Sequence, residues 1–349
     1  MQQINKTSNI IPEEILQVPG SKTFSYSTYL ADAFEAGILD IYRPQYQVPQ
    51  AEINYEITEG TTESLNHIQI KDSQKWLNRK ALLSKITKQI KPALKITDNR
   101  VFFDARYVFT DNVAHMIINV MPIAVHIARR TCPNINVILP ENPKKFTLKV
   151  CELMGIPTLV TNQEVEGKLI TFKNFQNSVV PDKFYRSTLE LYDEVLAEKI
   201  DQLEYPTYKR VFIGRKGTRN ITNEPEVEAL LKEYGFTKVY YEDIPMEQQW
   251  LISKQAEVIV GIHGAAFGAL MFNRAKVKVI EIFHPGYVVR SIRNITACVG
   301  GTWCGITGKL PDPFSEAALA ANPREFAEAA MTVDVQSVKM ALDYMAVEK

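Results

Sequence analysis

"VIVGIHGAAFGALMF" (258–272) begins as an apolar, β-branched run and changes within a few residues to small side chains with helical spacing. Such a joint is a buried strand feeding a helix, and Gly261, Gly264 and Gly268 stand around it. Glycine permits a tight turn and lets a ligand come close to the backbone. The first N–H groups of the helix then face outward as an anion site. The spacing is Gly-x-x-Gly-x-x-x-Gly, not the fingerprint of dinucleotide-binding turns. The stretch therefore predicts phosphate binding without naming the phosphate.

Outward from this joint, "RVFIG" (210–214), "KVYY" (238–241), "EVIVG" (257–261) and "KVIEIF" (278–283) recur as strand candidates. "EPEVEALLKEYG" and "MEQQWLISKQA" fill the gaps with helical patterns, the first having Pro225 in its opening turn and Gly235 past its end. Strands apolar on both faces, alternating with helices, predict a parallel doubly wound sheet. Right-handed crossovers collect the strand ends, and any ligand, on one edge. The middle of the chain repeats the pattern with "VFFDARYVF" (101–109), "NVILP" (136–140), "PTLVT" (157–161) and "KLITF" (168–172). Helices fit "NVAHMIINVMPIAVHIARR" and "KKFTLKVCELMG", and a long polar helix from Pro181 to Leu203 leads to the linker "EYPTYKR". The expected organisation is a first domain over 1–204, its opening hundred residues mixed and poorly legible. A second domain spans 205–321, and a helical segment spans 322–349.

The 349 residues include 40 Lys plus Arg and 40 Asp plus Glu, so no global field favours nucleic acid. The amino terminus lacks a basic start followed by an apolar stretch, so no secretory leader is expected. The longest apolar run is too short and too polar to span a bilayer. Cys132, Cys151, Cys298 and Cys304 show no metal-type pairing and read as free thiols of a cytoplasmic protein. The segment from Lys71 to Lys95 sets eight cations against the single acid Asp72. Such a run is usually a solvated face; with a lipid-linked acceptor it would be a peripheral contact for anionic headgroups.

Chemistry concentrates in two places. "GRKGTRN" follows the first strand of the second domain and puts Arg215, Lys216 and Arg219 at its carboxyl end. Arginine forks match phosphate oxygens, and a glycine-rich turn adds N–H donors. The alternative is a solvated basic loop. His263 follows the second glycine turn, where a structural role competes with a ligand contact. The five histidines show no ligand spacing and the chain has no Asp-x-Asp, so no metal site is expected. In the first domain Asn112, His115, Asn119 and His126 fall on one stripe of a helix. Pro122 is expected to kink or end that helix. The stripe is either a satisfied polar seam or a face lining a cleft, and several polar groups sharing one core favour the cleft.

These segments match a family. "RVFIGRKGTRNITNEPEVEALLKEYGF", "MEQQWLISKQAEVIVGIHGAAFGALMF" and "VIEIFHP" together resemble glycosyltransferase family 61, whose pattern falls here on Arg215, Arg219, Ile221, Asn223, Glu224, Gly261, His263, Gly264, Ala265 and Glu281. "DNVAHMIINVMP" is similar to the family's His-centred helix, and the resemblance covers about residues 100–310. It implies a GT-B-like α/β fold, two Rossmann-like doubly wound domains facing across a cleft. It also implies an inverting, metal-independent transfer from a nucleotide-sugar donor, with no cofactor. Arg215, Lys216 and Arg219 would take the diphosphate, and His263, Gly264 and Ala265 the donor phosphate or sugar. Glu281 would hold a donor hydroxyl. His115 and Asp111 are the acceptor-side candidates. Members often carry a carboxylate four residues after the helix histidine; this chain has Asn119 there.

The function expected is transfer to a glycan or lipid-linked acceptor in surface polysaccharide synthesis, capsule or lipopolysaccharide, in the cytoplasm or at the inner face of the membrane. A nucleotide-sugar epimerase on the same architecture and a non-catalytic nucleotide-sugar binding protein are the competing readings. The donor sugar, its base, the acceptor and the oligomeric state are not legible.

Overall fold

The computed structural model describes residues 4–11, 14–17, 22–24, 45–48, 51–62, 92–106, 110–172, 186–285, 287–309 and 328–349. Most of the basic run from Lys71, and the ends of several sequence-predicted elements, lie outside the described residues. The chain divides into two compact units, Met1–Glu14 with Val48–Leu196, and Ile15–Gln47 with Ala197–Lys349.

The second unit is built on a six-stranded sheet. Its order is Thr237–Tyr240, Arg210–Gly214, Val258–Ile262, Lys278–Phe283, Thr302–Thr307 and Lys22–Phe24. Every neighbouring pair is parallel. The four strands read from the sequence are there. The fifth, "TWCGIT", was missed because it lacks an aliphatic run, and the sixth comes from far upstream. Even-numbered side chains such as Phe212, Val260, Ile262, Ile280, Ile282 and Ile306 form one core with Val227 and Leu231 of the helix Glu224–Glu233. Each such buried aliphatic contributes about 1.5–3 kcal/mol. Val338, Ala341 and Leu342 of the helix Val335–Tyr344 enter the same core. The helix Val335–Tyr344 thus packs into the core of this unit.

The topology creates a switch point. From Arg210–Gly214 the chain passes to one side, to Thr237–Tyr240, then crosses to the other side at Val258–Ile262 and continues outward. The carboxyl ends of Arg210–Gly214 and Val258–Ile262 are adjacent and send their loops in opposite directions, which is where open α/β sheets leave a ligand crevice. The segment after Val258–Ile262 is a 3-10 helix, Ala265–Phe272, rather than the α-helix its spacing suggests. So long a 3-10 run is uncommon and accompanies strain or function.

The first unit has a mixed sheet. Val165–Phe172, Val101–Asp104, Ile135–Leu139 and Thr158–Val160 lie parallel in that order. Ala51–Thr61 then pairs antiparallel with Val165–Phe172, and Ile4–Ile11 antiparallel with Ala51–Thr61. The parallel strands are compatible with the Rossmann-like expectation, and two antiparallel strands extend the sheet. The physical reason is legible in "AEINYEITEGT", whose strict alternation suits an antiparallel strand with one face covered. Tyr55 from this strand is buried against Phe172.

The helix after residue 112 runs to Arg130 without a break at Pro122. It is α over Val113–His115, π over Met116–Val120 and α again over Met121–Arg130. No described helix is long and apolar enough to cross a membrane. All four cysteines are free and buried.

Candidate active site

At the switch point of the second unit the basic loop leaves Arg210–Gly214, and its arginines reach the residue that follows the neighbouring strand Val258–Ile262. Gly217 and Arg219 both take positive φ, +83° and +60°. For arginine this left-handed conformation is strained, and it turns the Arg219 side chain toward the neighbouring strand. Arg215 Nη1 donates to the His263 carbonyl oxygen at 3.0 Å, and Arg219 Nη1 donates to the same oxygen at 3.4 Å. One carbonyl thus gathers two guanidinium groups. Burial lowers the pKa of Arg215, and the nearby charge of Arg219 lowers it further. Two cations held this close are poised for an anion. Glu328 approaches Arg219 only to 3.5 Å, and among the described residues Arg219 Nε has no hydrogen-bond partner although buried. Tyr287 lies across the Arg219 guanidinium at 5.4 Å and beside the His263 ring at 5.1 Å.

Gly264 is needed for this convergence. A Cβ there would stand 2.5 Å from Arg215 Nη1. Ala265 opens the 3-10 helix behind it and is half-buried. Lys216 does not join the arginines. Its ammonium pairs with Asp243 at 2.6 Å, over the Tyr240 ring.

Glu281 occupies a row of the sheet flanked by Gly261 and Gly305 in register on either side. Side chains two residues along a strand share a face, so His263 and Trp303 lean across the two glycines toward it. His263 Nδ1 meets Glu281 Oε1 at 2.5 Å, and Trp303 Nε1 donates to Oε2 at 2.7 Å. The carboxylate is fully buried. Burial raises its pKa, and the bonds from His263 and Trp303 oppose that rise. Both Glu281 oxygens are thus engaged inside the unit, one with His263 and one with Trp303. Trp303 was invisible in the sequence because its strand was.

In the first unit, Asn112 caps the interrupted helix, its side chain accepting from Ala114 N at 2.9 Å and His115 N at 3.3 Å. His115 Nδ1 lies 2.8 Å from the Oδ1 of Asn119. With Oδ1 accepting, the ring proton sits on Nδ1 and Nε2 keeps the lone pair. His115 is half-buried and Asn119 buried, whereas Asp111 is exposed at the helix start. His126 is half-buried, with its pKa lowered by burial and then by Arg130. The π turn shifts it out of the 3.6-residue register that had aligned it with His115. His284, also unforeseen, is buried near Arg219 and depressed to about 4, chiefly by burial and then by the Arg219 charge. Among the described residues, no three His, Cys, Asp or Glu side chains converge as metal ligands.

A switch point with two converging arginines in a parallel sheet, and a histidine at the opening turn of a helix in a second α/β unit, are the features on which chemistry could be built. Residues 61–280, more than half of the chain, match the family model described as Glycosyltransferase 61, and the chain belongs to glycosyltransferase family 61. Over 165 residues it is 24% identical to the EGF domain-specific O-linked N-acetylglucosamine transferase of Drosophila melanogaster, covering 41% of this chain and 31% of that protein. The chain thus spans under a third of that relative's length. Among solved structures, Escherichia coli diaminopropionate ammonia lyase in apo form aligns over 98% of this chain and 97% of its own, with 11% identity and a TM-score of 0.15. A score that low carries no structural likeness.

Proposed function

We propose that this protein is an inverting, metal-independent glycosyltransferase that moves a sugar from a nucleotide-sugar donor to a hydroxyl of a glycan or glycolipid in surface polysaccharide synthesis. The observation that carries the reading is the convergence of Arg215 and Arg219 on the His263 carbonyl at the switch point. A diphosphate placed there accepts bidentate, charge-assisted bonds from both guanidinium groups. The second unit is then the donor domain and the first the acceptor domain, in a GT-B organisation.

The His115 Nε2 takes the proton of the acceptor hydroxyl, which neutral imidazole can do near pH 7. The acceptor oxygen attacks the anomeric carbon from the side opposite the diphosphate. The bond to the leaving phosphate oxygen breaks, and its electron pair stays on the nucleoside diphosphate beside Arg215 and Arg219. His263, held by Glu281, which Trp303 in turn holds, presents its outer edge to the donor. Asn119 supports this chemistry in place of a carboxylate by holding the His115 tautomer.

A thermal-shift panel of nucleotide sugars, N-acetylhexosamine donors included, tests the donor class. A donor at a hundredfold its dissociation constant adds about 2.7 kcal/mol of stability. Transfer by the donor so found is expected to survive EDTA, and loss of transfer restored by Mn²⁺ would overturn metal independence. His115→Ala should cut kcat about 10²–10⁴-fold with donor binding unchanged. Donor binding without turnover across a broad acceptor screen would instead favour the non-catalytic reading that Asn119 invites.

A further inference from the structure

We infer that Pro122 and Tyr192 are positioning residues for His115, because together they hold open the π turn that brings Asn119 against it. The inference rests on the reading of His115 as the base.

The backbone at His115 is pinned by the Asn112 cap, so the direction of the imidazole depends on what its side chain meets. It meets Asn119, which is buried and lies inside the π segment Met116–Val120. A π turn is intrinsically disfavoured against an α turn, and single π turns within α-helices cluster at functional sites. Something must therefore exclude the α alternative.

Pro122 and Tyr192 together do so. An α register would send the N–H of residue 122 to the carbonyl of Ile118, and proline has no N–H to send. In the π register Met121 N reaches back to Met116 O. The next bond of that register, from residue 122 to Ile117 O, is likewise impossible. A buried carbonyl without a donor would unravel the turn. Here the phenol of Tyr192 donates to Ile117 O. Tyr192 projects from the helix Arg186–Lys199 and is completely buried, and burial holds its phenol well above its ordinary pKa, so the donor proton is retained. Proline leaves one carbonyl without its donor in either register, Ile118 O in the α and Ile117 O in the π, and the tyrosine supplies a donor to the second. The result is a side chain at i+4, Asn119, set to accept from Nδ1 of His115.

The test uses the full chain with ¹⁵N-labelled histidine, the His115 signals being identified by their loss in His115→Ala. The wild-type protein should show His115 as the Nδ1–H tautomer. Tyr192→Phe should unfold cooperatively yet lose that tautomer preference, and kcat should fall about ten- to a hundredfold with the donor KM little changed, as expected when a base is misplaced. A Tyr192→Phe protein with the wild-type tautomer and the wild-type kcat overturns the inference. If Tyr192→Phe does not fold, Pro122→Ala decides. It returns the N–H that an α-register bond needs, and the same two losses are expected; wild-type behaviour in both readouts again overturns it. His115→Ala with undiminished turnover would remove the base, while the tautomer measurement would still judge the positioning.

Discussion

Gly264 and the two arginines show how single side chains set the proposed donor site. The φ of Gly264 is 172°, extended backbone open to any residue, so its glycine is there for space and not for conformation. Gly264→Ala should push the Arg215 guanidinium off the His263 carbonyl and weaken nucleotide-sugar binding by about 1.5–3 kcal/mol, the worth of a charge-assisted bond. The melting temperature should barely move, because the clash is with the far end of a flexible side chain. Arg215→Ala should lose as much by titration calorimetry. Lys216→Ala should lose little, since its ammonium is committed to Asp243. A Lys216→Ala protein as impaired as Arg215→Ala would contradict this division of labour.

At the scale of elements, the interrupted helix of the first unit begins on a single side-chain cap. Its opening α turn is only Val113–His115, and Asn112 satisfies two of its first N–H groups. An N-cap Asn replaced by Ala typically destabilises by about 1 kcal/mol, whereas Asp keeps the acceptor. Asn112→Ala should therefore lower the unfolding free energy measured by urea titration by that amount, and Asn112→Asp should not. The second unit is less delicate at this scale, because its helix Glu224–Glu233 is also braced by Lys238, which pairs with Glu224 at 2.7 Å and Glu228 at 2.8 Å.

For the molecule as a whole, acid should act through His284. Its ordinary pKa of 6.5 falls to about 4 in the fold, with burial as the main cause. Above 6.5 it is neutral whether folded or not, and its contribution to stability is complete. As pH falls from 6.5 toward 4, the unfolded chain binds a proton that the folded chain refuses, and stability is lost progressively. The full effect is about 3 kcal/mol. Denaturation at pH 7 and pH 4.5 should show a smaller loss for His284→Gln than for the wild-type protein; equal losses would mean that other groups carry the acid response.

How much of this was open to inspection in the sequence follows from the range of the forces involved. Four strands of the second sheet, its two longer helices and the basic loop were legible, because apolar runs, helical spacing and turn residues are local signals. The glycine joint at 258–272 located the switch-point turn for the same reason, and family 61 was recognisable from those local segments. The tertiary structure alone brought Arg215 and Arg219 to one carbonyl and turned Lys216 away to Asp243, since residues in one short loop diverge once each meets a different neighbouring strand. It alone buried Glu281 between His263 and Trp303, because a parallel register sets side by side residues far apart in the chain. Likewise Pro122 gave only a general warning of a helix break. The helix continues as a π turn because a tyrosine seventy-five residues away in sequence supplies the missing donor. Hydrophobic period and turn chemistry are written along the chain, but the partner that satisfies a buried polar group exists only once the chain has folded.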